Sequence, residues 1–180
     1  MNSYHLDITK EKLKGPTIDQ IVVHNQWAAT ALDKYHQGSK AIIEFEIEGV
    51  ISQASLSWDS GFSKSAMRED KDMANHGGVA MAWFVMSVLK DYVYVEQSEI
   101  GDGVDYCFKK EAPADDDLNF LSDFHYVEIS GVLQEFETNT LKRRIKDKHD
   151  QIGRGGKKGN SSSVIVTLFS QPKTVKEIHK

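Results

Sequence analysis

The chain has 180 residues, 39% of them hydrophobic and 27% charged, with a net charge of −5 at neutral pH. That fits one globular, soluble domain over residues 1–180 and excludes several classes. There is no run of about 18 or more apolar residues to span a membrane. The first residues lack an apolar signal core. A single cysteine, Cys107, rules out an internal disulfide framework and a cysteine-built zinc site, so a cytoplasmic location is the default expectation.

Residues 1–16 end in Gly15-Pro16 and read as an irregular or edge segment. Thr17 followed by Gln20 forms a capping box. Ile18, Ile21, Val22, Asn25, Ala28, Ala29, Leu32 and Tyr35 then recur at helical spacing, with Gly38 as the stop signal. His24 and His36 lie on this helix without a ligand partner in register and read as surface or packing residues. Ala41–Glu48 alternates Ile43, Phe45 and Ile47 against Glu44, Glu46 and Glu48, the pattern of a half-buried strand whose glutamates face water. Val50–Trp58 pairs with it as a hairpin across Gly49. Helix plus hairpin make an N-terminal extension over residues 1–62.

Ser63–Tyr92 is the longest helical stretch, with an apolar stripe that includes Met73, Gly77, Met81, Phe84 and Val88. Gly77-Gly78 costs that helix on the order of 1 kcal/mol per glycine, which a kink or the close approach of another backbone would explain. Strands follow over Val93–Gln97, Val104–Lys109 and Phe124–Val132, the last two joined by an acidic loop carrying Asp115, Asp116 and Asp117. A helix capped by Thr138, Asn139 or Thr140 runs to about Ile152, its inner face traced by Leu141, Ile145, Lys148 and Ile152. Gly153–Ser163 is Gly/Ser/Lys-rich, Val164–Phe169 is a dense central strand, and Lys173–Lys180 reads as a polar tail. Cys107 packs between strands.

Two carboxylates stand where a structural sheet favours apolar side chains: Asp105 just past the turn Gly101-Asp102-Gly103, and Glu128 in Tyr126-Val127-Glu128-Ile129. Burying an unpaired carboxylate costs several kcal/mol, so a positive group is expected between them, a divalent metal being economical. Alternatives stay open. Glu128 could form a plain salt bridge with Lys109, Lys110 or Arg143. Asp105 could cap its turn, Glu69 could complement a helix dipole, and Glu96 is a solvated edge residue or a reserve ligand. Between Lys142 and Lys158 eight Lys or Arg oppose only Asp147 and Asp150. That asymmetry points to an anionic partner or to a solvated helix face. No Walker loop, nucleophile elbow, zinc-protease or EF-hand spacing is present.

From residue 63 the order helix, strands, helix, strand, with carboxylates at Glu69, Asp105 and Glu128, resembles the PD-(D/E)XK nuclease-like superfamily. Glu96-Gln97-Ser98, Gly101-Asp102-Gly103-Val104-Asp105-Tyr106 and Glu128-Ile129-Ser130-Gly131 also look like the pattern of a group of short bacterial proteins. The resemblance implies an α/β (α+β) fold: a restriction-endonuclease-like mixed sheet flanked by helices, with a core over residues 63–172 and a tail over 173–180. It implies Glu69, Asp105 and Glu128 as ligands of magnesium or manganese. Ser130 stands at the motif's lysine position, and the resemblance implies a substitute from the next helix, Lys142, Arg143 or Lys146. A nucleic-acid-binding set of Lys142, Arg143, Lys146, Arg154, Lys157 and Lys158 completes the expectation.

Two functions follow. One is a metal-dependent nuclease, with water activated by the ion. The alternative is a non-catalytic binding or assembly module on the same fold, which the serine at position 130 and the acidic remainder favour; a homo-oligomer or partner protein would suit it. A lysine or arginine nitrogen at Glu128, beside an open cleft, discriminates between them.

Overall fold

A computed structural model describes residues 1–60, 66–99, 103–113, 124–155 and 161–180. Gly101 and Asp102, the triplet Asp115, Asp116 and Asp117, and Lys157 and Lys158 lie outside the described residues.

The strands are β1 (Asn2–His5), β2 (Lys40–Ile47), β3 (Val50–Ser57), β4 (Tyr94–Gln97), β5 (Tyr106–Lys109), β6 (His125–Val132), β7 (Ser162–Leu168) and β8 (Lys173–Ile178). They form one mixed sheet in the order β1-β3-β2-β8-β7-β6-β5-β4. β4, β5 and β6 run antiparallel in succession, and β7 lies parallel to β6. The helices are α1 (Thr9–Lys12), α2 (Ile18–Asp33), α3 (Asp70–Phe84) and α4 (Leu141–Arg154). α4 is the crossover that the parallel β6–β7 pair requires.

Side chains alternate across the sheet, so each strand feeds two cores. Val127, Ile129, Ile165 and Phe108 join the larger core with α2 and α3. Tyr126, Val132, Val164, Val166 and Cys107 join a smaller core with Ile152 of α4. The molecule is therefore three layers: α2 and α3, the sheet, and α4.

Local chemistry sets the helix ends. Thr17 accepts from the Gln20 N–H while the Gln20 side chain accepts from the Thr17 N–H, the reciprocal cap expected from the sequence. α4 is capped by Thr140. α3 is shorter than its stripe predicts, because Val85–Leu89 continues as a π-helical stretch. Gly77 and Gly78 are explained by close approach. A Cβ on Gly78 would stand 2.9 Å from the Gly131 nitrogen, and one on Gly131 would stand 1.9 Å from the Ala74 carbonyl oxygen. α3 thus lies directly on β6 at Ser130-Gly131.

One expectation is overturned. Residues 173–180, read as a polar tail, contain strand β8, which pairs with β2 on one side and β7 on the other. Its lysines misled the reading because they are partnered. Lys173 pairs with Glu44 and Glu46 at 3.0 and 2.7 Å, and Lys176, only 1% exposed, donates to Glu48 at 2.6 Å. The alternating glutamates of β2 are matched by β8 as well as by water.

Candidate active-site cleft

β5 begins at Tyr106, opposite Val127, while β6 runs on to Val132. Asp105 finishes the ladder at this step. Its N–H donates to the Val127 carbonyl at 3.0 Å, and its Oδ2 accepts from the Ile129 N–H at 2.7 Å, where a longer β5 would offer a carbonyl. The preceding turn is pinned from β4: the Ser98 N–H donates to the Asp105 carbonyl at 3.0 Å and the Ser98 hydroxyl to the Val104 carbonyl at 2.9 Å. Gly103 has φ +77°, and a Cβ there would sit 2.8 Å from Gly155 Cα. The turn is thereby pressed against the end of α4.

Glu128 points to the α4 side of the sheet and is fully buried. Lys148 of α4 donates to its Oε1 and reaches Gln151 Oε1 at 3.2 Å. Glu128 Oε2 has no hydrogen-bond partner among the described residues. Its neighbour, Asp105, is an acceptor like itself unless one of the two carries a proton. Burial first, and then the Asp105 charge, push the Glu128 carboxyl up to about 7, although Lys148 pulls the other way. Two carboxylates face one ammonium, and the cluster holds a proton near neutrality or keeps a net negative charge.

Asp105, Ser130 and Lys148 line an open cleft of about 950 Å³. One of its walls is α4. Arg144, Lys148, Gln151 and Arg154 repeat at three- and four-residue spacing, so they share one helix face. The Arg144 Nη2 donates to Asn139 at 3.0 Å, and its buried Nε has no partner among the described residues. The opposite wall comes from α2 and α3: Gln20, His24, Asn75, His76 and Val79. Burial, and then the His76 charge, lower His24 to about 4, so it is neutral at physiological pH.

The structure brings Asp105, Ser130 and Arg154 of the expected set into the cleft lining, with Glu128 buried against the lining residue Lys148. It corrects three others. Lys142 and Lys146 lie on the far flank of α4, lining a groove with Lys173 and Glu177. They are turned from the carboxylates because they are two positions out of phase with Arg144 and Lys148 on a helix. Lys148 is the lysine at the carboxylate. Glu69 is exposed and is the N-cap of α3, its carboxylate accepting from the Lys71 N–H at 3.4 Å; it is not part of the cleft lining. No three His, Cys, Asp or Glu among the described residues converge to hold a metal. Arg143 is exposed on the outer side of α4.

The inner-face trace Leu141, Ile145, Lys148, Ile152 already turned Lys148 inward, and the Arg144–Lys148–Gln151 spacing was the signal for the wall. Nothing within either helix could foretell that His24 and His76 meet, since that depends on how α2 and α3 pack. No helix among the described residues is long and apolar enough to cross a membrane. No family model, no curated protein and no solved structure matches the chain.

Proposed function

We propose that the cleft is the active site of a metal-dependent nuclease that hydrolyses phosphodiesters, built on a restriction-endonuclease-like core. The single observation that carries this reading is Lys148 on Glu128 with Asp105 beside them at the edge of an open cleft. The order α3, antiparallel β4-β5-β6, α4, parallel β7 supports it, being the order that the resemblance implies.

The residues fit magnesium or manganese. The buried Glu128 Oε2 lacks a donor among the described residues, and Asp105 has one oxygen in the ladder and another outside it. Two carboxylates are enough protein for an ion that retains several waters. When bound, such an ion supplies a Lewis acid that lowers the pKa of water and offsets charge on the phosphate. The chain's own groups do the rest. Asp105 and Glu128 fix the position of positive charge. Lys148 brings the ammonium that Ser130 lacks and stabilises charge developing on the phosphoryl oxygens. Arg144 and Arg154 hold neighbouring phosphates, bidentate donors suited to that geometry.

The test is calorimetric titration with magnesium and manganese, then a nicking assay, on wild type, Asp105→Asn, Glu128→Gln and Lys148→Ala. Binding should require both carboxylates and tighten as pH rises through about 7, because the ion must displace the proton on Glu128. Lys148→Ala should keep the ion and lose at least a hundredfold in cleavage, the scale of a lost charge-stabilising donor. Wild type that binds no ion and cuts nothing overturns the reading. The non-catalytic module is the second reading, favoured by one observation: Glu128 is fully buried against Lys148. Nucleic-acid binding without metal binding would select it.

A further inference from the structure

We infer that the cleft takes a single strand, or unpaired nucleotides, with phosphates on the α4 wall and bases on the α2–α3 wall. The inference rests on the nuclease reading for the identity of the ligand as a nucleic acid, and goes beyond it in naming the form.

The two walls differ in chemistry. On α4, Arg144, Lys148 and Arg154 present cations on one helix face over roughly three turns. That is a track for successive phosphates. Across the cleft the wall carries two imidazoles, His24 and His76, that contact tryptophans outside the lining. His76 is exposed, and its ring lies 28° from the plane of Trp27 at 5.9 Å between centroids. His24 tilts against His76 at 5.2 Å and stands edge-on to Trp83 at 4.8 Å. Trp83 in turn meets Tyr106 edge-on at 5.6 Å. Trp27 and His24 hold the exposed His76 ring in place where it lines the cleft. The buried Nδ1 of His24, without a hydrogen-bond partner among the described residues, adds a polar atom on the same wall.

A base is flat and stacks on such a ring irrespective of its identity. In a duplex the base faces are covered by their neighbours, and only edges are presented in the grooves. A site with phosphate-binding cations on one side and a stacking ring on the other can use both walls only on an unpaired nucleotide. Gln97 and Glu99 also line the cleft and carry hydrogen-bonding groups suited to base edges.

The experiment is fluorescence anisotropy in EDTA, so that nothing is cut. The probes are a labelled oligodeoxythymidine strand, its duplex with oligodeoxyadenosine, and an abasic strand of equal length. Wild type should bind the thymidine strand about tenfold more tightly than either of the others, as one stacked base warrants. His76→Ala should lose that margin while binding the abasic strand unchanged, and His76→Phe should restore it. Equal binding of duplex, equal binding of the abasic strand, an indifferent His76→Ala, or no binding at all each overturns the inference. A duplex both bound equally and cut with metal leaves the nuclease reading standing while this one falls. Strand preference without any metal-dependent cleavage does the reverse.

Discussion

At Glu128 three forces meet: burial and Asp105 favour the neutral acid, and Lys148 favours the carboxylate. The first two win. With the folded pKa at about 7, above the ordinary 4.5, the folded protein holds this proton more tightly than the unfolded chain does. The resulting stabilisation is complete below the unfolded pKa and is lost as pH rises through about 7. His24 and His125, both lowered to about 4, act in the opposite direction below pH 6.5. The comparison that isolates Glu128 is therefore wild type against Glu128→Gln. Their difference in unfolding free energy should move by about 2–3 kcal/mol in favour of wild type between pH 8 and pH 5, measured by urea titration at each pH. A flat difference would mean that Glu128 is an ordinary ionised partner of Lys148.

At the scale of elements, the close contact of α3 with β6 sets where the cleft opens. Gly131→Ala places a methyl group 1.9 Å from the Ala74 carbonyl oxygen, backbone against backbone, which no rotamer relieves. It should destabilise by about 3 kcal/mol or more, at or beyond the top of the overpacking range. Gly153→Ala in α4 meets nothing within 4 Å and should stabilise by about 0.5–1 kcal/mol from helix propensity alone. Thermal melts of the two variants check the pair. The glycines at 77, 78 and 131 also show how far sequence goes. The cost of Gly77 and Gly78 to a helix was visible, with close approach one of two explanations, whereas the need for glycine at 131 was not read. Asp105 and Glu128 stood out because a carboxylate in an apolar run needs a reason. Lys148 was placed inward by helical phase, yet the resemblance offered Lys142, Arg143 or Lys146 of the same helix as the substitute lysine, and membership of a helix does not specify which face a side chain occupies. The imidazole-bearing wall was not legible, because stacking between His76 and Trp27 is a property of two helices at once.

For the whole molecule, the misread segment is the instructive one. β8 looks solvated because four of its six residues, Lys173, Thr174, Lys176 and Glu177, are polar, but it is the strand that joins the N-terminal hairpin to the β7–β6–β5–β4 half of the sheet. Removing residues 173–180 would leave β2 and β7 without the strand that joins them and strip Lys173 and Lys176 from Glu44, Glu46 and Glu48. The shortened chain should lose its cooperative thermal transition. Circular dichroism melting checks this, and an unchanged transition would show that α2 packing on α3 alone joins the halves.

The position of β8 also governs time. It is eighth among the strands along the chain and fourth across the sheet, and its ion pair from Lys176 to Glu48 spans 128 residues. Contacts of such separation form only after a large loop has closed, and chains dominated by them fold toward the millisecond-to-second end of the kinetic range. Until that closure, the edges of β2 and β7 stand open, each a template for a stray strand. The refolding yield of this protein should therefore fall with chain concentration, even though the finished sheet pairs both of those edges.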